Sequence, residues 1–429
     1  MSGEEKVRGM LSPYRILDLT NERGLICGKV LADLGADVIK IEKPGGDPAR
    51  CMGPFYHDIP DPEKSLYWFA FNTNKRGITL DIEKTDGQEI FKKLIKSTDI
   101  VIESFDPGYM DKLGLGYSAL SQINPRMIMT SITGFGQTGP YKDYKAPDIV
   151  VWALSGNAYM TGDPDRAPVM SSFPFSYIVA GALQGAVGTM VALNHREMIG
   201  EGQHVDASTQ LSLTWPVSCE PPGMWLEDGT IMKRMGRNWY RPQVVAGRKT
   251  VWVGAPMTYQ CKDGDINFAV MAGLSYGTST NALSKWVESE GMAGETTKSI
   301  DWTKMEWSTV SQEVVDAIVK DFSRFFMTRT KAELYEGASQ RGVMLYPVLT
   351  PKDMLELDQL KFRKYWVEVD HPELGTSITY PGPFLKTSET FENVCRRAPR
   401  IGEHNEEVYM RELGMSKEQL LILKQMKVI

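Results

Sequence analysis

Five short apolar runs in the first third of the chain constrain its fold more than any other feature. They are Tyr14–Thr20, Ala36–Glu42, Ile78–Ile82, Asp99–Glu103 and Arg126–Ile132. Each is too short for a helix and reads as a buried strand. Between the first two lies Gly24–Leu34, with Leu25, Val30, Leu31 and Leu34 apolar. Between the third and fourth lies Asp86–Ser97, with Ile90, Phe91, Leu94 and Ile95 on one helical face. Two strands joined by a helix form a βαβ unit and run parallel. Its repetition predicts an α/β fold, a doubly wound, Rossmann-like domain.

The pattern changes past Thr214. Residues 214–300 are rich in Gly, Pro, Trp, Tyr and Met, with short strand-like pieces at Thr250–Gly254 and Ile266–Val270. Helical spacing returns at Ser311–Phe326 and Lys331–Arg341, and again at Asn405–Leu413 and Lys417–Met426. At 429 residues the chain exceeds a single core. We expect a large α/β domain over 1–214, a smaller α+β domain over 215–345, and a return through 346–429 that completes the large domain.

With a formal charge of -6 the chain as a whole lacks the polycation character of a nucleic-acid binder. Its five cysteines are scattered without a CxxC pair and its five histidines form no ligand pair at helical spacing, so neither a disulfide framework, a zinc site nor another metal is expected. A reducing, cytoplasmic setting fits best. The Ala- and Gly-rich stretch Tyr177–Leu193 barely reaches the length of a membrane span and contains Gln184. Its small residues fit a buried helix, and no membrane partner is expected.

Loops that follow strands are where open α/β sheets bind ligands. Lys40, Lys43, Arg50, Lys75 and Arg76 lie near expected strand ends, where cations suit phosphates. Solvated surface charge is the plainer reading of each.

Specific strings sharpen this. Ile16-Leu-Asp-Leu-Thr20, Leu31-Ala-Asp-Leu-Gly-Ala-Asp-Val-Ile-Lys-Ile-Glu42 and Gly45-Gly-Asp-Pro-Ala-Arg50 are followed by Asn72-Thr-Asn-Lys-Arg76 and Glu103-Ser-Phe-Asp-Pro-Gly108. Then come Leu113-Gly-Leu-Gly-Tyr117, Asn124-Pro-Arg126, Gly134-Phe-Gly-Gln-Thr-Gly-Pro140, Gly200-Glu-Gly-Gln203 and Ile401-Gly-Glu-His-Asn-Glu-Glu-Val408. In this order they resemble the family III CoA-transferases, across nearly the whole chain. The resemblance implies that the small domain is inserted into the large one, that two chains interlock as a dimer, and that acyl-CoA is the substrate. It maps CoA contacts onto Lys43, Leu80, Ser104, Phe105, Lys112 and Lys145. Departures accompany it. Lys43 and Ser104 stand where the family often has Arg and Asn, Glu22-Arg23 puts an acid near a polyphosphate, and the family's glycine-rich loop has no obvious counterpart.

The resemblance also implies a nucleophilic aspartate, which takes an acyl group as an anhydride and then carries CoA as a thioester. It belongs shortly after Thr161-Gly-Asp-Pro-Asp-Arg-Ala-Pro-Val169, and a gapless count puts Tyr177 there. A phenol can accept an acyl group but cannot carry CoA at a carbonyl. Asp148 and Asp163 (with Asp165) are the substitutes to weigh, though Asp163 and Asp165 read as turn residues. The racemase branch's histidine falls at Pro147, so that chemistry is absent too. No G-x-S-x-G elbow suggests a hydrolase.

The chain therefore resembles the non-catalytic partner in a heteromeric family III enzyme, completed by a homologous catalytic subunit that supplies the aspartate. Within that branch the resemblance implies transfer of CoA from succinyl-CoA to a carboxylic acid such as (R)-benzylsuccinate, in anaerobic toluene degradation. Trp215, Trp225, Trp239, Tyr240 and Trp252 suit an aryl substrate, although core or interface packing explains aromatics more generally. The alternatives are a homodimeric acyl-CoA-binding protein and an active homodimer with a relocated nucleophile.

Overall fold

The computed structural model describes residues 9–172, 175–217, 234–245, 249–388 and 395–429. The chain divides into two compact units. One comprises Met1–Ala158, Met170–Ile231 and Asp358–Ile429, and the other Tyr159–Val169 and Met232–Leu357. The second unit thus takes a short segment, Tyr159–Val169, that composition alone had left with the first.

The first unit is built on six parallel strands. They are β1 (Arg15–Asp18), β2 (Asp37–Glu42), β3 (Arg76–Thr79), β4 (Ile100–Glu103), β5 (Ile128–Thr133) and β6 (His204–Ser208), ordered β3-β2-β1-β4-β5-β6. The order reverses direction between β1 and β4. This is the doubly wound arrangement, whose ligand crevice lies at the carboxyl ends of the strands flanking the reversal. β2, β4 and β5 are buried almost throughout, because helices cover both faces.

The helices of this unit are α1 (Leu25–Asp33), α2 (Leu66–Phe71), α3 (Thr85–Ile95), α4 (Tyr109–Lys112), α5 (Tyr117–Leu120), α6 (Asp148–Leu154), the start of α7 (Asn157–Met160), which ends in the second unit, α8 (Ala182–Ile199) and α9 (Thr209–Val217). α3 buries Ile90, Phe91, Leu94 and Ile95 against Leu17, Ile39, Ile41 and Val101 on one sheet face. The C-terminal Glu406–Glu412 turn and the Lys417–Gln425 helix join the same core through Val408, Tyr409 and Leu420. On the other face α1 and α8 pack on Ile16, Ile100, Ile102, Ile128 and Ile132.

α8 approaches the sheet closely because its contact positions are small. A side chain at Gly185 would begin 3.1 Å from Ile132. The expected buried helix is therefore buried on one side. Its other side leaves Val187 and Val191 exposed, on an apolar groove of about 1040 Å³ that α1, Phe384 and Leu385 also line. A hairpin, Trp366–His371 with Thr376–Pro381, follows the second unit.

The second unit has its own core. A two-stranded ribbon (Asn238–Val245 with Lys249–Pro256) and a three-stranded antiparallel sheet (Thr258–Cys261, Gly264–Phe268, Leu345–Pro347) accompany helices Gly277–Ser289, Gln312–Phe326 and Lys331–Arg341. Phe268, Phe322, Phe325, Phe326 and Trp302 fill the interior. This is the α+β character expected from the sequence.

Candidate functional site

The crevice at the reversal is organised by the loop after β1 and the turn after β4. Asp18 ends β1 and lies at zero exposure, as do Lys40 and Thr20. One Asp18 oxygen accepts from the Thr20 amide (2.9 Å) and hydroxyl (2.6 Å), and the other accepts from Lys75 Nζ at 2.8 Å. Lys75 also donates to Asn72 and to the Leu25 carbonyl. Lys40 Nζ donates to the Thr20 carbonyl and stands 3.4 Å from Asp47. Burial opposes the Asp18 charge, but Lys75 and Lys40 hold its carboxyl below the ordinary carboxylate range. The loop is closed to the turn after β4 through Ser104. Its hydroxyl donates to Asn21 Oδ1 (2.8 Å) and accepts from the Asn21 amide (2.9 Å).

Six of the residues mapped as CoA contacts follow the carboxyl ends of strands. Lys43 follows β2, Leu80 follows β3, Ser104 and Phe105 follow β4, Lys112 ends α4, and Lys145 lies between β5 and α6. Leu80 and Ser104 are buried, Phe105 is partly covered and stacks at 4.6 Å on Tyr109, and Lys112 is exposed. Lys43 meets Glu83 at 2.8 Å, while Lys145 and Arg23 approach Asp106 at 3.9 and 3.6 Å. These exposed ion pairs are weak enough for a polyphosphate to displace them.

Lys75 and Arg76 do not belong with them. Both stand at the amino end of β3, and Lys75 is spent inside the Asp18 network. Arg76 forks onto Asp37 and also reaches Glu407 and Glu412 at the far edge of the sheet. Lys40 and Arg50 are likewise structural. Arg50 is 1% exposed, held by Glu42 and Glu63 and lying 3.9 Å over the Trp68 ring.

Tyr177 stands in the turn Ser176–Gly181 that leads into α8 and is 4% exposed. Its hydroxyl donates to the Ala146 carbonyl at 2.6 Å, and the Arg23 guanidinium lies 5.4 Å from its ring centre. Val151, Trp152, Ala180 and Leu213 share its apolar cluster. A side chain at Gly134, just past β5, would begin 2.9 Å from the phenol oxygen, so the phenol fills space that the glycine leaves. Burial pushes the Tyr177 hydroxyl up to about 12. At neutral pH it is protonated and already donates its one hydrogen.

Asp148, at the first turn of α6, uses both carboxylate oxygens on this turn. One accepts from the Tyr177 amide (3.3 Å) and the other from the Ser176 hydroxyl (3.1 Å). Asp163 is exposed in the second unit, in a turn closed by its own carbonyl onto the Arg166 amide. Of the aromatic residues, Trp215 lies on α9 in the first unit, and Trp239 and Tyr240 lie on the ribbon of the second. Trp225 and the Trp252 side chain lie outside the described residues.

One group was missed from the sequence. Glu103, the last residue of β4, is 3% exposed and accepts from the Phe105 amide at 2.7 Å. Burial, with Asp111 and Asp206 nearby, pushes its carboxyl up to about 7. Its position at a carboxyl strand end, directly before Ser104-Phe105, was the available signal.

Six parallel strands whose order reverses between β1 and β4 define a doubly wound α/β protein with its crevice at the switch point. The CoA-transferase family III model matches residues 11–405, and the chain belongs to that family. Among curated relatives it is 34% identical to the succinyl-CoA:(R)-benzylsuccinate CoA-transferase subunit BbsE of Thauera aromatica, over 92% of this chain and 93% of that one. It is 30% identical to the succinyl-CoA–L-malate CoA-transferase beta subunit of Chloroflexus aurantiacus, over 98% of both chains. It is 31% identical to a formyl-CoA:oxalate CoA-transferase of Streptomyces coelicolor, over 98% of this chain and 99% of that one. A CAIB/BAIF family protein from Brucella suis superposes with a TM-score of 0.78 at 27% identity, covering 94% of this chain and 99% of that one.

Proposed function

We propose that this chain is the non-catalytic subunit of a heteromeric CoA-transferase, interlocked with a homologous subunit that carries the nucleophilic aspartate. The observation that carries this reading is Tyr177. The residue at the head of the α8 segment is a buried phenol bonded to Ala146, and among the described residues the carboxylate beside it, Asp148, is already hydrogen-bonded. Asp148 is committed to the turn, and attack by it would strip the hydrogen bonds from Ser176 and the Tyr177 amide. The rim of Lys43, Lys112 and Lys145 supports retention of the nucleotide end of CoA. The apolar groove along α8 suits burial by a second chain, since an exposed apolar surface of this kind is typical of an interface.

Two similar proteins, from Thauera and Chloroflexus, are subunits by name, and both act with succinyl-CoA. On that support we propose succinyl-CoA as donor and a carboxylic acid such as (R)-benzylsuccinate as acceptor, a step of anaerobic toluene degradation. The test is native mass spectrometry of the tagged chain purified from its own host. A stoichiometric partner of similar mass with aspartate at the Tyr177 position is expected. A clean homodimer would overturn the heteromer and leave an acyl-CoA-binding protein. The copurified complex, given succinyl-CoA with benzylsuccinate, malate or oxalate in turn, reports the acceptor by the thioester formed.

A further inference from the structure

The loop after β1 is pinned from beneath by buried charge. Asp18 accepts from the Thr20 amide and hydroxyl, and Lys40 donates to the Thr20 carbonyl, so both ends of that residue are held. Lys75 fixes Asp18 in turn. One residue on, Asn21 Oδ1 accepts from the Arg23 amide at 3.1 Å and from the Ser104 hydroxyl. Three buried charged side chains thus set the conformation of one short loop, and Arg23 stands at its end.

The Arg23 guanidinium is not spent on the fold. Its side chain is only 27% exposed, yet among the described residues it makes no hydrogen bond. Its ion partner, Asp106, is itself exposed and keeps its oxygen 3.6 Å away, beyond hydrogen-bond length. Every other arginine whose side chain is described and not exposed donates to the protein. Arg15 and Arg76 donate to Asp37, Arg50 to Glu42, Arg196 to Asp99 and Arg397 to Glu403, and Arg234 and Arg329 donate as well. Covering a guanidinium takes its donors from water, and donors left unpaired are costly. A rigid loop that carries such a group is preorganised for an anion.

We propose that Arg23 is the receptor for the carboxylate of a small organic acid, held at the head of the α8 segment. The guanidinium lies 5.4 Å from the Tyr177 ring centre, which places the acid beside the residue that stands where the aspartate is expected. Paired N–H groups in one plane match the two oxygens of a carboxylate. The surrounding acids select against a more highly charged ligand. Glu22 precedes Arg23 in the chain, Asp106 faces it, and Asp148 is fixed across the Tyr177 turn. Their repulsion grows with the charge of the ligand, so one carboxylate is favoured over a phosphate group. Phosphates belong with the exposed Lys43, Lys112 and Lys145. No bond is made or broken, since the Tyr177 hydroxyl is committed to Ala146 and the acid is only held. That this acid is one the complex acts on rests on the function proposed above. The receptor does not.

The test is calorimetric titration of the full chain, in the assembly in which it is purified, with succinate, dimethyl succinate and inorganic phosphate. Succinate is expected to bind, phosphate more weakly and the neutral ester not at all. Arg23→Gln should weaken succinate binding by roughly tenfold or more, the loss of a charge-assisted pair of hydrogen bonds. Arg23→Lys keeps the charge without the fork and should fall between. Both variants should unfold no earlier than the wild type, because the fold does not use these donors. Failure of succinate to bind, binding unchanged in both variants, phosphate binding as tight as succinate, or a clear loss of Tm in both variants overturns the proposal. Native mass spectrometry decides the subunit reading separately. A homodimer that binds succinate through Arg23 would remove that reading and leave the receptor standing.

Discussion

Substituting Glu103 with Gln should stabilise the protein, and by an amount that grows with pH. In the unfolded chain this carboxyl ionises around 4.5, whereas in the folded chain it keeps its proton to about 7. Between those values the folded state binds more protons than the unfolded, so stability falls as pH rises. The loss is absent well below 4.5 and complete above 7. Integrating over the two values gives about 1.4 kcal/mol at pH 5.5 and about 3.3 kcal/mol at pH 8. Gln mimics the protonated acid, accepting from the Phe105 amide without a charge to desolvate. Its advantage over the wild type should therefore widen by about 2 kcal/mol between those pH values, or roughly 4 °C in Tm for a unit of this size. Scanning calorimetry of both proteins across pH reads the difference directly, and cancels the titration of every other group. Parallel curves, or a Gln variant less stable at pH 8, would show that Glu103 is ionised and satisfied in the fold.

Asp18→Asn removes the carboxylate between Lys75 and Lys40 and should lower stability by about 3–5 kcal/mol, read as loss of Tm and of soluble protein. Tyr177→Phe deletes the bond to the Ala146 carbonyl and should lower stability by about 1–3 kcal/mol, equally at pH 6 and 8 because the phenol titrates far above both. Gly134→Ala pushes a methyl to within 2.3 Å of Ala146 Cβ and should lower stability by about 1–3 kcal/mol, only partly relieved by Tyr177→Phe, measured by thermal unfolding. Charge reversal at Lys112 or Lys145 should weaken CoA binding at low salt, with the difference shrinking in about 0.5 M salt as screening takes over.

The strands of the first unit were legible because both faces of the sheet are covered, which leaves continuous apolar runs such as Ile100–Glu103 and Ile128–Thr133. β6 was not, since His204, Val205 and Asp206 are half-exposed or exposed and give no such run. Strand order was not legible, because apolar patterning carries no information on which strands pair. The basic residues show the same limit. Lys75 and Arg76 were read as lying near a strand end, but the strand begins there, and ligands gather where strands finish. Strand direction, already implied by the Ile78–Ile82 run, separates them from Lys43, Lys112 and Lys145. Glu103 escaped notice because a charged residue closing an apolar run looks like a solvated end. Its burial depends on α4 and α5 folding over β4, a tertiary fact.

Tyr177, at the position where the resemblance expects the aspartate, is built into its surroundings. The phenol is fitted to its place by three features that a carboxylate would not use. Gly134 leaves room for its oxygen, Ala146 turns a carbonyl to accept its proton, and Val151 and Leu213 line its ring. A carboxylate put there would stop short of the Ala146 carbonyl, stand beside the charge of Asp148 and leave the ring's volume empty. Arg23, now over the ring, is a nearby cation that could compensate it. A change of Tyr177 to Asp alone would put a second carboxylate beside Asp148 and leave the ring's space unfilled, which is the physical reason to look for the proposed chemistry in a sister subunit.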